Sequence, residues 1–565
     1  MTDFSIMPKV DEAQEFIEIA NDFSNPLDLV REAISNAFDA KAKIIKIHFD
    51  VIKQYGESVL QITMSDDGTG MDRKGLQAFF DLGNSSRREE PETIGEKGHG
   101  TKVYFNSSEI RVSTVRDGKL LSAEMKEPFK RLFDRKIPEV KGQEDDAADR
   151  ATGTTITVIG YNNNRRDLFT HEILKDHISW FTKFGSFERE AGIENNLDTK
   201  LELKGLNRTT PEILEFGHFF PPDSVDVNKL FDKYFADAPK YYAKQITKTG
   251  QLKNFPEIKY DAVFVIEGNK IKQDYNPMLR RQGYSAPEGS YTVQERYGLW
   301  LSKDYIPVQR ANEWIGTRGS EYTRFHAFLN CQDFRLTANR GSIQNTPTEI
   351  LQDIQREVES LYAQISESAD WNQLDWLESQ ADAYRTTERE KKDFLWRTKK
   401  LNQSNVSEFQ GHVLSEPSHE SGVYGLVVQL ATIDKTIFPF EILDYNTHTG
   451  IDVIVKSDHF APLHQSKLYY VEFKYILSKD LNHSFENLQS IICWDTATKH
   501  GDTITDINEE TRTIHITAPG SDGEYTKYFL DNPSKAHKIE VYVLKDFLKD
   551  RYKVEFRPRT DKAVI

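Results

Sequence analysis

Three short segments that interleave acidic residues with glycine constrain this chain more than any other feature. The first is Glu32-x-x-x-Asn36-x-x-Asp39, and the second is Asp66-Asp67-Gly68-Thr69-Gly70-Met71. The third is Gly95-Glu96-Lys97-Gly98-His99-Gly100-Thr101-Lys102. Asn25-Pro26, ahead of the first, reads as a helix start: an N-cap residue followed by proline in the first turn. Leu27, Val30, Ile34, Ala37 and Phe38 then recur at helical spacing, while Glu32, Asn36 and Asp39 (i, i+4, i+7) share a second face. Such a face is either a solvated stripe or a magnesium–nucleotide site. An amide oxygen suits Mg2+, and a carboxylate can polarise a water for in-line attack on phosphorus.

The alternating run Leu60-Gln61-Ile62-Thr63-Met64 predicts a strand ending at Asp66, followed by a loop in which Gly68 and Gly70 permit close approach. An Asp there is either part of a plain Asp-Gly turn or an acceptor for an exocyclic amine. Gly95, Gly98 and Gly100 open a predicted helix at Thr101-Lys102-Val103-Tyr104-Phe105, where backbone amides can cradle phosphate and Lys97 and Lys102 add charge. No Gly-Lys-Ser/Thr is present, so this is not a Walker loop. The polar stretch 84–93, with Ser85, Ser86, Arg87 and Arg88, is expected to form a lid over the phosphates.

Together these segments resemble the GHKL superfamily (gyrase, the ninety-kilodalton heat-shock chaperone, histidine kinases, MutL) over residues 15–160. The details sit closest to the MORC branch and its prokaryotic relatives. The resemblance implies a Bergerat α/β sandwich that binds ATP and Mg2+, with Glu32 as general base, Asn36 as magnesium ligand and Asp66 as the adenine-binding acid. Gly68, Gly70, Gly95, Gly98 and Gly100 would shape the nucleotide loops. Further contacts are implied at Asp39, Met71, Ser85, Arg87, Lys97, His99, Thr101 and Lys102, and at Thr154 in Gly153-Thr154-Thr155-Ile156-Thr157-Val158. Histidine kinases place a different residue at the Glu32 position, so hydrolysis is favoured over phosphotransfer.

MutL- and MORC-type relatives carry a second α/β transducer domain that returns a basic residue to the γ-phosphate. Residues 201–346 contain strand-like runs such as Ala262-Val263-Phe264-Val265-Ile266, followed by Arg335-Leu336-Thr337-Ala338-Asn339-Arg340. The Thr-x-Asn-basic order resembles the MORC switch loop and implies Arg340 as the catalytic contact, with Arg335 as its rival. Residues 347–405 are helix-prone and charged, ending in a basic cluster at Lys391, Lys392, Arg397, Lys399 and Lys400, and read as a linking strut.

Residues 406–565 hold a second constellation. A buried helix is expected at 422–430, with Glu420 just before it. Asp452 lies in the run Gly450-Ile451-Asp452-Val453-Ile454-Val455, and Glu472 and Lys474 share one face of Leu468-Tyr469-Tyr470-Val471-Glu472-Phe473-Lys474-Tyr475. Charges in strands this apolar need partners. Two carboxylates sharing a divalent metal beside a lysine suit phosphodiester cleavage. The pattern resembles the PD-(D/E)XK nuclease superfamily, which implies catalysis by Asp452, Glu472 and Lys474. It also implies metal ligation by Asp452, Glu472 and the accessory acid Glu420, with Gln489, on a following helix, as an accessory polar residue. Ile451 stands where the motif has proline, and the gap of 20 residues between the acids is long.

Composition bounds the rest. The 565 residues carry a net charge of −16, which excludes a histone-like basic coat but not a local nucleic-acid patch. Two distant cysteines, Cys331 and Cys493, and the lack of a signal-like or spanning apolar segment fit a reducing cytoplasm and no membrane. The expectation is a multidomain α/β protein: ATPase domain 1–200, transducer 201–346, helical linker 347–405 and restriction-endonuclease-like domain 406–565. ATP-driven homodimer closure would be coupled to Mg2+- or Mn2+-dependent cleavage of DNA. The combination points to prokaryotic defence or restriction, with a partner protein encoded nearby. The alternative is an ATP-driven clamp or chaperone whose C-terminal domain only binds.

Overall fold

The computed structural model describes residues 7, 11–23, 25–82, 100–224, 226–280, 286–315, 321–337, 340–446 and 452–564. The chain divides into two compact units, Met1–Arg385 and Thr386–Ile565. Among the described residues no helix is long and apolar enough to cross a membrane.

In the first unit, the alternating strand expected at 60–64 takes its place in an eight-stranded mixed sheet. Its order is Val140–Asp146, Lys119–Lys126, Glu109–Arg116, Gly153–Ile159, Glu57–Asp66, Ile44–Gln54, Lys200–Lys204, Glu212–Glu215. All pairings are antiparallel except that of Ile44–Gln54 with Lys200–Lys204. The sheet therefore continues past residue 200, where the sequence boundary was expected, because Lys200–Lys204 pairs with a strand laid down 156 residues earlier, Ile44 opposite Lys200. Period-two burial along Ile44–Gln54 and Glu57–Asp66 sends Ile45, Ile47, Phe49, Leu60, Ile62 and Met64 to one face. A one-residue slip would expose all six, so the register is held by the core.

The helix Asp28–Asp39 covers that face with Leu29, Val30, Ala33, Ile34 and Ala37, all buried. Each of the larger side chains contributes about 1.5–3 kcal/mol by leaving water. The helix starts at Asp28, three residues after the expected cap, because the Asn25 side chain instead accepts the Leu27 amide at 3.0 Å in a turn.

A second sheet in the same unit runs Ile306–Arg310, Gly298–Lys303, Phe325–Cys331, Lys259–Glu267, Ala243–Gln251. The helix Thr348–Ser366 lays Ile354, Val358, Leu361 and Ile365 into its core, and Ala369–Asn402 adds Trp371, Leu374 and Leu377. The early part of the segment read as a linker thus belongs to this core: its i, i+4, i+7, i+11 apolar stripe needs a partner, and the sheet supplies one. A separate cluster joins Trp180 and Phe187 to Val263, Val265, Tyr305 and Phe328 of the second sheet and its hairpin.

The second unit is built on an eight-stranded sheet of order Glu441–Tyr445, Val453–Lys456, Leu468–Leu477, Leu488–Thr496, Ile539–Val543, Lys527–Asp531, Thr511–Thr517, Thr503–Thr505. Its first three strands form an antiparallel meander, and the third to fifth are parallel. The helices Glu420–Ile433 and Leu544–Tyr552 pack on one face. The helix expected to carry Gln489 is absent: Gln489 is exposed on the strand Leu488–Thr496, and only a three-residue 3-10 turn, Phe485–Asn487, precedes it. The run Ile491-Ile492-Cys493-Trp494 is buried on both faces of a parallel sheet, where an apolar strand and a buried helix look alike in sequence.

Candidate functional site

The helix Asp28–Asp39, the strand Glu57–Asp66 and the strand Gly153–Ile159 converge on a cavity of about 420 Å3. Of the sequence-derived candidates, Glu32, Asn36, Asp39, Asp66, Gly70, Met71, Gly100, Thr101 and Thr154 line it. The three helix residues face it together because their spacing stacks them on one side. Ala33, Ala37, Ile45, Met64, Ala78, Phe79 and Ile156 give it apolar walls, while acids and amides are gathered at a few points. An apolar slot with few convergent polar groups is the usual build of a small-ligand site.

The two adjacent aspartates of the second segment do different work. Asp67 Oδ1 accepts the amides of Lys43 and Ile44 at 2.7 and 2.8 Å and so pins the neighbouring strand start. Asp66 faces the cavity, its Oδ1 accepting the Gly68 amide at 2.9 Å. Gly68 does not line the cavity; a side chain there would collide with Ala40 and with Asp66 itself. Gly70 does line it, at φ 67°, and a β-carbon there would collide with the Val115 carbonyl oxygen, so both backbone angle and space call for glycine.

Thr154 is positioned by a residue the sequence reading missed. Thr114 Oγ1, fully buried, lies 3.0 Å from Thr154 Oγ1 and accepts the Met71 amide at 2.8 Å. Strand pairing sets Thr154 beside both Asp66 and Thr114. Lys74 and Arg116 also line the cavity and were not anticipated.

Glu32 is buried, its Oε1 3.7 Å from Arg31 Nε. The buried Tyr104 phenol lies close by, and burial followed by the Glu32 charge pushes it well above its ordinary range. Lys102, expected to meet phosphate, points elsewhere. It is fully buried in the 3-10 helix Gly100–Phe105, with Nζ donating to Phe79 O at 2.9 Å and to Thr101 Oγ1 at 2.7 Å. Burial lowers its pKa to about 7. Ser85, Arg87, Gly95, Lys97, Gly98 and His99 lie outside the described residues. Arg340 is described at φ 56°, but it does not line the cavity; its guanidinium pairs with Asp304 at 3.0 Å.

For a magnesium ion the Asn36 carboxamide faces the cavity and supplies the hard oxygen donor such a cation needs, one helical turn from the Glu32 carboxylate on the same face.

In the second unit, Lys474 Nζ lies 2.5 Å from Glu472 Oε1 and 3.5 Å from Glu420 Oε2, the first residue of its helix. Asp452 sits one residue before the strand Val453–Lys456, and its Oδ2 accepts the Phe473 amide at 2.8 Å. Glu472 is only 1% exposed, and its Oε2 has no hydrogen-bond partner. Burial, opposed by Lys474, raises the Glu472 pKa. Burial works against the Lys474 ammonium, but contact with Glu472 and the nearby Glu420 and Asp452 charges raises its pKa. His483, unanticipated, lies 3.6 Å from Glu472 Oε1. The four expected residues are therefore together, and an orphaned buried carboxylate oxygen is a place for a cation. Yet among the described residues no group of three or more His, Cys, Asp or Glu side chains is arranged to hold a metal ion. As the side chains stand, Lys474 is the cation that Glu472 holds.

Compared with known proteins, residues 26–154 match the family described as histidine kinase-, DNA gyrase B-, and HSP90-like ATPase. The match runs from the start of the Glu32 helix to Thr154 and supports a GHKL-type ATPase domain in that stretch. No curated protein matches the chain.

Proposed function

We propose that this chain binds and hydrolyses ATP in the Glu32 cavity and uses the nucleotide cycle to control a C-terminal domain that acts on DNA. The observation that carries the reading is the convergence of Glu32, Asn36, Asp66 and Thr154, from three separate elements, on one cavity inside the matched family region. In this reading Asp66, held by the Gly68 amide, accepts the adenine amine, and Thr154 completes the base contact. Glu32 orients a water and takes its proton, and Asn36 holds the magnesium ion. Mg2+, when bound, neutralises charge on the phosphates. Arg340 of the proposed transducer, residues 201–346, reaches the γ-phosphate after nucleotide binds. ATP brings two copies together, as GHKL ATPases commonly do.

The C-terminal proposal is a PD-(D/E)XK-like nuclease in which Asp452, Glu472 and Lys474 act on a phosphodiester, with Glu420 as accessory acid. Its support is the Glu472–Lys474 pair on one strand with Glu420 and Asp452 beside it, and the orphaned Glu472 oxygen. A cytoplasmic role in prokaryotic DNA defence or restriction, alongside a partner encoded nearby, belongs to the same proposal. The second reading is an ATP-driven clamp whose C-terminal domain binds without cutting. It is favoured by the lack of a three-ligand group among the described residues.

The test is cleavage of linear, circular and single-stranded DNA with Mg2+ or Mn2+, with and without ATP, by wild type, Glu32→Ala and Glu472→Gln. The nuclease reading expects cutting to vanish in Glu472→Gln and to change in Glu32→Ala. ATP hydrolysis with no cut substrate would move the clamp to the front.

A further inference from the structure

We infer that Asp304 is a positioning residue that holds the Arg340 guanidinium in a resting place and yields it to the nucleotide. This deepens the reading of Arg340 as the switch contact and rests on it. Every described residue lining the cavity lies at or before Ile156, so Arg340 must change partners to serve there. Its guanidinium pairs with Asp304 Oδ2 at 3.0 Å, with the two side chains 19% and 21% exposed. A carboxylate and a phosphate present the same oxygen pair to a guanidinium, so Asp304 and the nucleotide compete for one cation.

Asp304 is itself fixed in place. It is the tip of the hairpin joining Gly298–Lys303 to Ile306–Arg310, and Asp304 and Tyr305 are both left-handed, at φ 55° and 60°. Two consecutive left-handed residues make the tight hairpin turn that matches strand twist. Tyr305 locks the turn: its amide donates to Asn330 Oδ1 at 2.8 Å, its hydroxyl donates to Asp261 Oδ2 at 2.7 Å, and its ring meets Phe187 edge-on at 5.3 Å.

The hairpin tip is also tied back toward the nucleotide cavity. Lys183 Nζ donates to the Asp304 carbonyl at 3.1 Å and pairs with Glu188. Lys183 opens the 3-10 turn Lys183–Gly185, whose Phe184 packs edge-on against Phe216 at 6.0 Å. Phe216 in turn meets Phe38 at 5.6 Å, and Phe38 lies on the same helix as Glu32 and Asn36. A shift of that helix on nucleotide binding therefore has a packed route to the carboxylate that holds Arg340. Contiguity provides a route, and a double-variant cycle measures whether energy travels along it.

The experiment compares phosphate release from ATP by wild type, Asp304→Asn, Arg340→Ala and the double variant, with the Kd of a non-hydrolysable ATP analogue and a thermal melt for each. Asparagine keeps the shape of Asp304 and tolerates positive φ; Asp304→Gly, which also suits the turn, is the second variant. Releasing a partly exposed ion pair should raise kcat about two- to fivefold with the analogue Kd little changed, and the gain should vanish in the Arg340→Ala background. Arg340→Ala slower than wild type with both Asp304 variants at or below the wild-type rate overturns the inference. An Asp304 gain that persists without Arg340 also overturns it. Arg340→Ala with full turnover instead overturns the assignment of Arg340 itself.

Discussion

Gly100 lies directly against the Glu32 carboxylate: a β-carbon at residue 100 would fall inside the contact radius of Glu32 Oε2. The third glycine of the third segment thus serves the acid of the first as well as the backbone. Glu32 is a flexible side chain, so a methyl at residue 100 would displace the carboxylate rather than unfold the domain. Gly100→Ala should lower kcat for ATP at least ~10-fold, about 1.4 kcal/mol of barrier, while leaving the thermal melt near wild type. Unchanged kcat would show that the Glu32 position is not used.

Asp66 carries two duties, holding the Gly68 amide and facing the cavity. Asp66→Ala should weaken ATP binding by about 10- to 100-fold, the range for a hydrogen bond to a charged group. Isothermal titration would read this directly. Thr114→Val is its quieter counterpart: it removes the hydroxyl that lies against Thr154 Oγ1 and accepts the Met71 amide, and should weaken binding less.

Much of this cavity was legible in the sequence because its parts are local. The i, i+4, i+7 face of Glu32, Asn36 and Asp39 follows from helix geometry, and a strand ending at Asp66 follows from alternation. Thr114 was not legible, because its meeting with Thr154 and Met71 depends on the pairing of strands some 40 residues apart. Nor was the fate of Lys102, which short-range pattern placed at a phosphate loop and which packing turned inward to the Phe79 carbonyl. In the second unit the charged strand was legible, but Gln489 was assigned to a helix because a short apolar run fits either element. The segment 347–405 was visible as helix-prone, and only the second sheet reveals what Ile354, Val358, Leu361 and Ile365 cover.

Lys102 gives a pH signature of fixed sign. Burial lowers its folded pKa to about 7, whereas an unfolded lysine titrates near 10.4. Between about pH 7 and 10 the unfolded chain carries a proton that the folded chain has released, so wild-type stability gains with pH across this window through Lys102. Below pH 7 both states are charged and the folded state bears the full cost of burial. Lys102→Met lacks the group. Its urea midpoint relative to wild type should therefore fall steadily from pH 7 to 10; a constant difference would contradict the burial argument.

In the second unit, removing Lys474 leaves a carboxylate buried without its cation. Lys474→Ala should cost about 3–5 kcal/mol in urea unfolding, whereas Glu472→Gln with Lys474→Met should cost much less, because no charge is then stranded. Equal losses would show that Glu472 is already neutral in the wild type.

The most direct test of the central claim is ATP turnover by wild type and Glu32→Ala, with ATP affinity measured on the same preparations. The account predicts that Glu32→Ala binds ATP within a few-fold of wild type and hydrolyses it at least ~100-fold more slowly, as loss of a positioned general base implies. Equal turnover by the two proteins, or no ATP binding by either, would contradict it.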